Sequence, residues 1–292
     1  MQVEKTIMAE GGKLGAASVS IVVNAGLLIS KLAVALITGS ISLYAESAHS
    51  LFDLLASVLA YLGIMKAEEP SDQNHHFGHE KFENLSSFLQ ALLILGTSFV
   101  VIYDAYGKFT APTGVNEPLL GIALMLISIP VIYLTSRHLG EIAHSEGSSA
   151  LEANSAHYLT DVLSSIAVLV GLGMVKLGYK IGDPLAAVAV ALIMFYISMK
   201  LLYSSYVVFM DFSPEQETMV KIKSVLIKEK RITRFHKLRA RIAGSRILVD
   251  VHIHFPHGTP LETAHRIAHE IENEIIREIP TVKEVNIHLE PD

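Results

Sequence analysis

Two eleven-residue segments share a polar pattern set in apolar surroundings: Ser47-Ala48-His49-Ser50-Leu51-Phe52-Asp53-Leu54-Leu55-Ala56-Ser57 and Ser155-Ala156-His157-Tyr158-Leu159-Thr160-Asp161-Val162-Leu163-Ser164-Ser165. Seven of the eleven positions are identical. In each copy His and Asp stand at i and i+4, a spacing that stacks them on one face of a helix and aims one nitrogen and one oxygen at the same point. Two such helices supply two imidazoles and two carboxylates, a donor set that suits a tetrahedral d¹⁰ ion such as Zn²⁺. An Asp in the middle of an apolar span costs about 2.5–3.5 kcal/mol on insertion scales. Its presence twice, each time with a His partner, points to a site built from His49, Asp53, His157 and Asp161. Glu46 and Glu152 lie nearby without this register and read as interfacial or packing residues.

The elements that must position these pairs are visible as apolar runs at roughly 14–37, 41–65, 85–106, 118–138, 150–175 and 184–209, each near the ~20 residues that cross a hydrocarbon core as a helix. Polar or turn-forming separators divide them: Thr38-Gly39-Ser40, Lys66 to Glu83, Ala111 to Gly114, Gly140 to Ser149 and Gly178 to Pro184. The first run is longer than a signal-peptide core and lacks a small-residue cleavage site, so it reads as a retained span. The His-Asp pairs fall on spans two and five, which run antiparallel. Each His sits about eight or nine residues inside its span, ~12–14 Å deep at ~1.5 Å per residue, so the pairs can meet near the bilayer midplane. Six spans return both termini to one side, and the basic tail with Lys66, Lys81 and Arg137 assigns that side to the cytoplasm.

Composition agrees with a bilayer as solvent for much of the chain. Of 292 residues, 51% are hydrophobic and 18% charged, with mean hydropathy +0.43. Net charge is -6 and no clustered basic surface is apparent, which excludes a nucleic-acid partner. The absence of cysteine excludes disulfides, thiol catalysis and cysteine-ligated metal sites, leaving the 14 histidines and the carboxylates as ligands. After Phe212 the pattern turns soluble. Ser213-Pro214-Glu215 opens a helix, Ile232 to Ile242 and Arg246 to Phe255 form a hairpin about Ala243-Gly244-Ser245, Thr259-Pro260 starts a second helix to about Glu278, and Val282 to Leu289 is a third strand. The fold class is thus an all-α six-helix transmembrane domain over 1–211 plus an α+β domain of order αββαβ over 212–292.

With these motifs in place the chain resembles a cation diffusion facilitator over essentially its whole length. The resemblance implies a secondary active transporter, not an enzyme, which exports divalent metal from the cytoplasm in exchange for protons. It further implies a homodimer joined through a cytoplasmic, ferredoxin- or metallochaperone-like tail, in a bacterial or archaeal inner membrane. By the same resemblance the loop Asp72-Gln73-Asn74-His75-His76-Phe77-Gly78-His79 holds a second site of Asp72, His75 and His79, with His76 a spectator. A dinuclear tail site maps onto His236, His252, His265 and His288, with Glu290 where the family usually has Asp. His254, His257 and His269 have no counterpart, although strand alternation puts His252 and His254 on one face. Lys81 and Asp211 resemble a charge pair that ties the membrane bundles across the dimer.

Zn²⁺ is the expected cargo and a structural or regulatory ion of the loop and tail, because nitrogen-rich coordination favours it over Mn²⁺; Cd²⁺, Co²⁺, Fe²⁺ and Ni²⁺ also suit such a site, and export of another divalent metal (Fe²⁺, Cd²⁺, Co²⁺ or Mn²⁺) is an alternative. A further alternative is a membrane metal sensor that does not transport. An intramembrane metalloprotease is excluded: His79-Glu80 is followed by Lys81, Phe82 and Glu83, with no second His at the required spacing.

Overall fold

Long uninterrupted apolar sequence with few internal breakers forms helices well beyond the globular average, and the computed structural model shows them. It describes residues 12–38, 41–110, 119–177 and 181–292, divided into two compact units, Met1–Ser205 and Tyr206–Asp292. Six helices come first: α1 (Lys13–Thr38), α2 (Ile41–Ala67), α3 (Lys81–Thr110), α4 (Leu119–Glu146), α5 (Ser149–Lys176) and α6 (Gly182–Phe209). Among the described residues, α1, α2, α3 and α6 contain stretches long and apolar enough to cross a membrane. Parts of α4 and α5 have side chains outside the described set, as do the separators at 39–40, 111–114 and 178–180.

One expected separator is shorter than its sequence suggests. Gly140 does not end the fourth helix, which continues to Glu146, so only Gly147 and Ser148 join α4 to α5. A single helical Gly costs about 1 kcal/mol, too little to break a packed helix.

The first unit packs through small residues and aliphatics. Ala16 and Ala17 of α1, Ile64 of α2, Leu139 of α4, and Leu151 and Tyr158 of α5 share one buried cluster. A second joins Ala91 and Ile94 of α3 to Ala153 of α5 and to Val190 and Met194 of α6. In lipid, such contacts are held by close packing and by polar groups crossing between helices. Gly63 shows how close: a Cβ there would lie 2.4 Å from Cβ of Ser86, whose hydroxyl donates to the Leu59 carbonyl at 2.7 Å. Only glycine permits α2 and α3 to approach this far.

The second unit adds α7 (Gln216–Lys228), β1 (Arg234–Ala243), β2 (Arg246–Phe255), α8 (Leu261–Glu278) and β3 (Val282–Pro291). The helices start at Glu215 and Pro260 without side-chain caps, so Pro214 and Pro260 fix the entry rather than a Ser or Thr hydroxyl. The sheet order is β1-β2-β3, antiparallel then parallel, with α8 as the crossover. Gly244, at φ 66, makes the β1–β2 turn. Ile247, Val249, Val251 and Ile253 of β2 face Ile222 and Leu226 of α7 and Ile267, Ile271 and Ile275 of α8. Each such side chain contributes about 1.5–3 kcal/mol when fully buried.

A bulge interrupts β1. His236 pairs with His252, yet Arg239 pairs with Asp250, so Lys237 and Leu238 together oppose Val251. Lys237 takes up the extra residue at φ 48. Because of it, Phe235 and Leu238 both pack toward the core although they stand three positions apart, an offset that plain alternation would put on opposite faces.

Candidate metal centres

Among the described residues, three groups of His and carboxylate side chains are close enough to hold an ion, and each is positioned by a different device. The first is built by helical spacing. On α2, His49 Nε2 lies 3.7 Å from Asp53 Oδ1; on α5, His157 Nε2 lies 3.2 Å from the same oxygen. His49 Nε2 also lies 3.9 Å from Asp161 Oδ1, closing the set across the two helices. Donors about 3.3 Å apart form the edge of a tetrahedron with ~2.0 Å bonds; His49, Asp53 and Asp161 lie mutually close enough for one ion, and His157 reaches the group through Asp53. Asp53 and His157 are buried and His49 is half-exposed.

A polar chain that the sequence reading did not single out fixes these helices. Asn24 of α1 donates to the Asp53 carbonyl and to Ser57 Oγ, both at 2.9 Å. Ser57 donates to Asn154 Oδ1 at 3.4 Å, and Asn154 donates to Ser20 Oγ at 2.9 Å. Tyr158, one residue after His157, donates to the Ser20 carbonyl at 2.7 Å. All five residues are buried, and together they tie α1, α2 and α5 beside the His-Asp pairs. The signal was present as polar residues at helical spacing in apolar runs, but nothing in it named the partners.

A second network lies where α1, α3 and α5 begin. Lys13 Nζ donates to Glu83 Oε1 at 2.7 Å and Ser148 Oγ donates to Glu83 Oε2 at 2.6 Å. Ser148 also accepts weakly from the Leu151 amide at 3.4 Å, capping α5. Glu152 is exposed in the first turn of α5, and the side chain of Glu46 lies outside the described residues.

The second centre is built by a turn. Asp72 Oδ1 accepts from the amides of His75 and Asn74 at 2.7 and 2.8 Å, and these bonds hold its carboxyl down at about 2. His75 Nδ1 stands 3.2 Å from Oδ1 and His79 Nε2 3.4 Å from Oδ2. His79 is buried; its Nδ1 donates to the Pro70 carbonyl at 3.0 Å, while its Nε2 has no hydrogen-bond partner. An oriented imidazole with its second nitrogen bare is the form a metal requires. His76 and Phe77 are exposed.

The third centre is built by strand register. His236↔His252↔His288 form one row across β1, β2 and β3, and His254↔Glu290 the next. Glu290 Oε1 is 2.6 Å from His252 Nδ1 and 3.7 Å from His288 Nε2. The hydrogen bond from His252 holds the Glu290 carboxyl below its ordinary range. Partial burial pulls His236 below the usual histidine range, with Glu290 opposing and His254 and His252 reinforcing. His265 is not brought to this group within one chain. It is exposed on α8, which packs on the opposite, core face of the sheet, and its ring instead lies 4.5 Å from that of His269. Asp211 accepts from Arg241 at 3.2 Å within the second unit.

A bundle of apolar helices that carries metal ligands, joined to a small α+β unit that carries more, defines a membrane protein that handles metal cations. Residues 17–210 match the profile of the cation efflux transmembrane domain, and 214–292 that of the cation efflux protein cytoplasmic domain. The chain belongs to the cation efflux family, the cation diffusion facilitators; it is a cation efflux transporter of divalent metal and not an enzyme.

It is 28% identical over 254 residues to the cation-efflux pump FieF of Citrobacter koseri, covering 87% of this chain and 84% of that protein. It is also 28% identical to metal tolerance protein C1 of Arabidopsis thaliana, covering 91% of this chain and 60% of the relative. Among solved structures, the metal-bound C-terminal domain of the CzcD transporter from Thermotoga maritima is 23% identical, with TM-score 0.25, over 26% of this chain and 87% of that one. A cytosolic domain of a cation diffusion facilitator family protein matches with the same identity and TM-score, over 26% of this chain and 89% of that one.

Proposed function

We propose that this chain exports Zn²⁺ in exchange for protons, using His49, Asp53, His157 and Asp161 as the transport site. The observation that carries the reading is the approach of His49 of α2 and His157 of α5 to the shared Asp53 Oδ1, with Asp161 of α5 facing His49 from the other side. Metal binding needs bare imidazole nitrogens and ionised carboxylates, so an ion arriving from the less acidic side displaces protons, and protons from the other side displace the ion. Each proton moving down one pH unit supplies about 1.4 kcal/mol. Alternating access follows from helices rocking about a fixed midplane site.

The remaining assignments belong to the same reading. Residues 1–211 form the transport domain in a bacterial or archaeal inner membrane, and 212–292 a cytoplasmic metal-binding and dimerisation domain that senses metal, with both termini in the cytoplasm. Asp72, His75 and His79 hold a further ion beside the membrane.

Flux into proteoliposomes loaded with a zinc-sensitive dye and a pH dye tests this. Zinc uptake should be driven by an imposed pH gradient and accompanied by counterflow of protons, and both should vanish in Asp161→Ala. Zinc flux indifferent to the pH gradient would sink the antiport, and no flux in the intact protein would sink the transporter.

A further inference from the structure

Three buried polar residues of α3 belong to no site assigned so far. Glu83, Ser87 and Gln90 stand at i, i+4 and i+7, so they share one face of that helix, and none is more than 4% exposed. Both oxygens of Glu83 are occupied, Oε1 by the Lys13 ammonium at 2.7 Å and Oε2 by the Ser148 hydroxyl at 2.6 Å. That one carboxylate therefore ties the starts of α1, α3 and α5 to one another.

Gln90 lies seven residues further along α3, ~10 Å deeper at ~1.5 Å per residue. Its Nε2 donates to Ser86 Oγ at 3.2 Å and to the Ala150 carbonyl of α5 at 3.4 Å, whereas its Oε1 is buried without a hydrogen-bond partner. Ala150 stands one turn before Asn154, which with Ser57 belongs to the polar chain beside Asp53 and His157. Oxygen-bearing side chains thus continue from the helix starts to the edge of the proposed transport site. An ion pair present only for stability accounts for Glu83, but not for a bare amide oxygen two turns deeper on the same face. Oxygens are what a divalent cation takes in exchange for its hydration shell, and buried ionisable groups among apolar helices mark ion paths.

We propose that this face of α3 is the ion's path between the helix starts and the proposed transport site, and that Lys13 closes it by occupying Glu83. Opening is an exchange of cations on one carboxylate. The doubly charged ion takes the Glu83 oxygens, the singly charged ammonium swings into water, and no covalent bond changes. The inference rests on the transport-site reading and adds the residue that admits the ion to it.

The chain has no cysteine, so Ser87→Cys, a change of one atom, places a single thiol one turn inside the closure. In inside-out membrane vesicles, the rate at which a membrane-impermeant cationic methanethiosulfonate modifies that thiol reads the opening. The rate should rise at least 10-fold with Lys13→Met, stay within twofold with Lys13→Arg, and rise a few-fold with Ser148→Ala, which spares the ion pair. A control thiol at the buried Ala35 of α1, Ala35→Cys, should stay slow in every case. In proteoliposomes, Glu83→Gln keeps the volume and an acceptor for Ser148 but loses the charge. Its KM for Zn²⁺ should rise about 10-fold with the maximal rate within twofold, whereas a merely structural defect would lower the maximal rate. Ser148→Ala and Glu83→Gln carry the test if Lys13→Met unfolds. A Ser87→Cys thiol no faster in Lys13→Met or Ser148→Ala, an Arg variant as fast as the Met one, acceleration of the Ala35→Cys control, or an unchanged KM in Glu83→Gln would each overturn the inference. Zinc flux that survives Asp161→Ala would instead overturn the transport-site reading beneath it, and the thiol rates would still decide the closure.

Discussion

The proposed transport centre and the candidate tail centre use similar donor atoms but opposite means of placing them. In the membrane unit the ligands come in pairs from single helices, and the 3.6-residue turn puts His49 above Asp53 and His157 above Asp161 without help from any other element. Only the meeting of α2 with α5 is tertiary, and Asn24, Ser57 and Asn154 pin it. In the tail, alternation puts His288 and Glu290 on one face of β3, but the other neighbours come from different strands. His236, His252, His288 and Glu290 are neighbours because three strands pair in one register and because a bulge turns β1 over at the right place. A helical site is thus robust to its neighbours and brittle to its own length, whereas a sheet site depends on both.

The sharpest way to break the comparison is to change length by one residue in each centre. An insertion between His49 and Asp53 rotates Asp53 by ~100° about the helix. Zinc flux in proteoliposomes should then fall to background while tail binding is untouched. Deleting Lys237 should do the reverse: flux persists, but the tail loses the His236 ligand and its zinc affinity drops about 10-fold or more, read by dialysis against a competing chelator.

Next in size is selectivity. The resemblance implies that relatives with Asp in place of His49 accept a wider range of metals, so His49→Asp should raise cadmium flux relative to zinc, measured by competition in the same vesicles; an unchanged ratio counts against a selectivity role for His49. Smaller still, Asn24→Ala should lower zinc flux several-fold, the order of effect expected when a ligand's supporting hydrogen bond is lost. The smallest effect concerns Arg231, which donates to Glu229 and to Glu270 at 2.6 Å each. These bonds hold both carboxyls below their ordinary range, so their contribution is complete above about pH 4.5 and is lost as pH falls through the lower folded values. Arg231→Met should therefore lower the melting temperature by no more than a few degrees at pH 7, and the two melting curves should converge in acid.

The same contrast explains what was legible in the sequence. The two His-Asp pairs were readable because their geometry is local, and the order αββαβ because alternation and turn residues mark it. The Asn24–Ser57–Asn154 chain was not, since hydrogen-bond partners 29 to 134 residues apart leave no trace in spacing. His236 illustrates a subtler failure. Leu238 and Ala240 face the core, so simple alternation would bury His236 with them; the extra residue at Lys237 reverses that parity and brings it beside His252. His265 was placed by resemblance, and α8 carries it away from the cluster within one chain. Gly140 looked like a boundary, but packing of Leu139 and Ala143 carries the helix through it.

The Lys13–Glu83–Ser148 contact also bears on how the protein can be handled. Lys13 opens the first helix, so the amino-terminal edge of the bundle is part of its fabric rather than a free end. Replacing Lys13 by Met would leave the buried Glu83 carboxylate with a hydroxyl but no counter-charge from this side chain, a loss of about 3 kcal/mol. Tags and cleavage sites are therefore safer at the carboxyl terminus, beyond Asp292, or well upstream of Lys13, than at the start of the first apolar run.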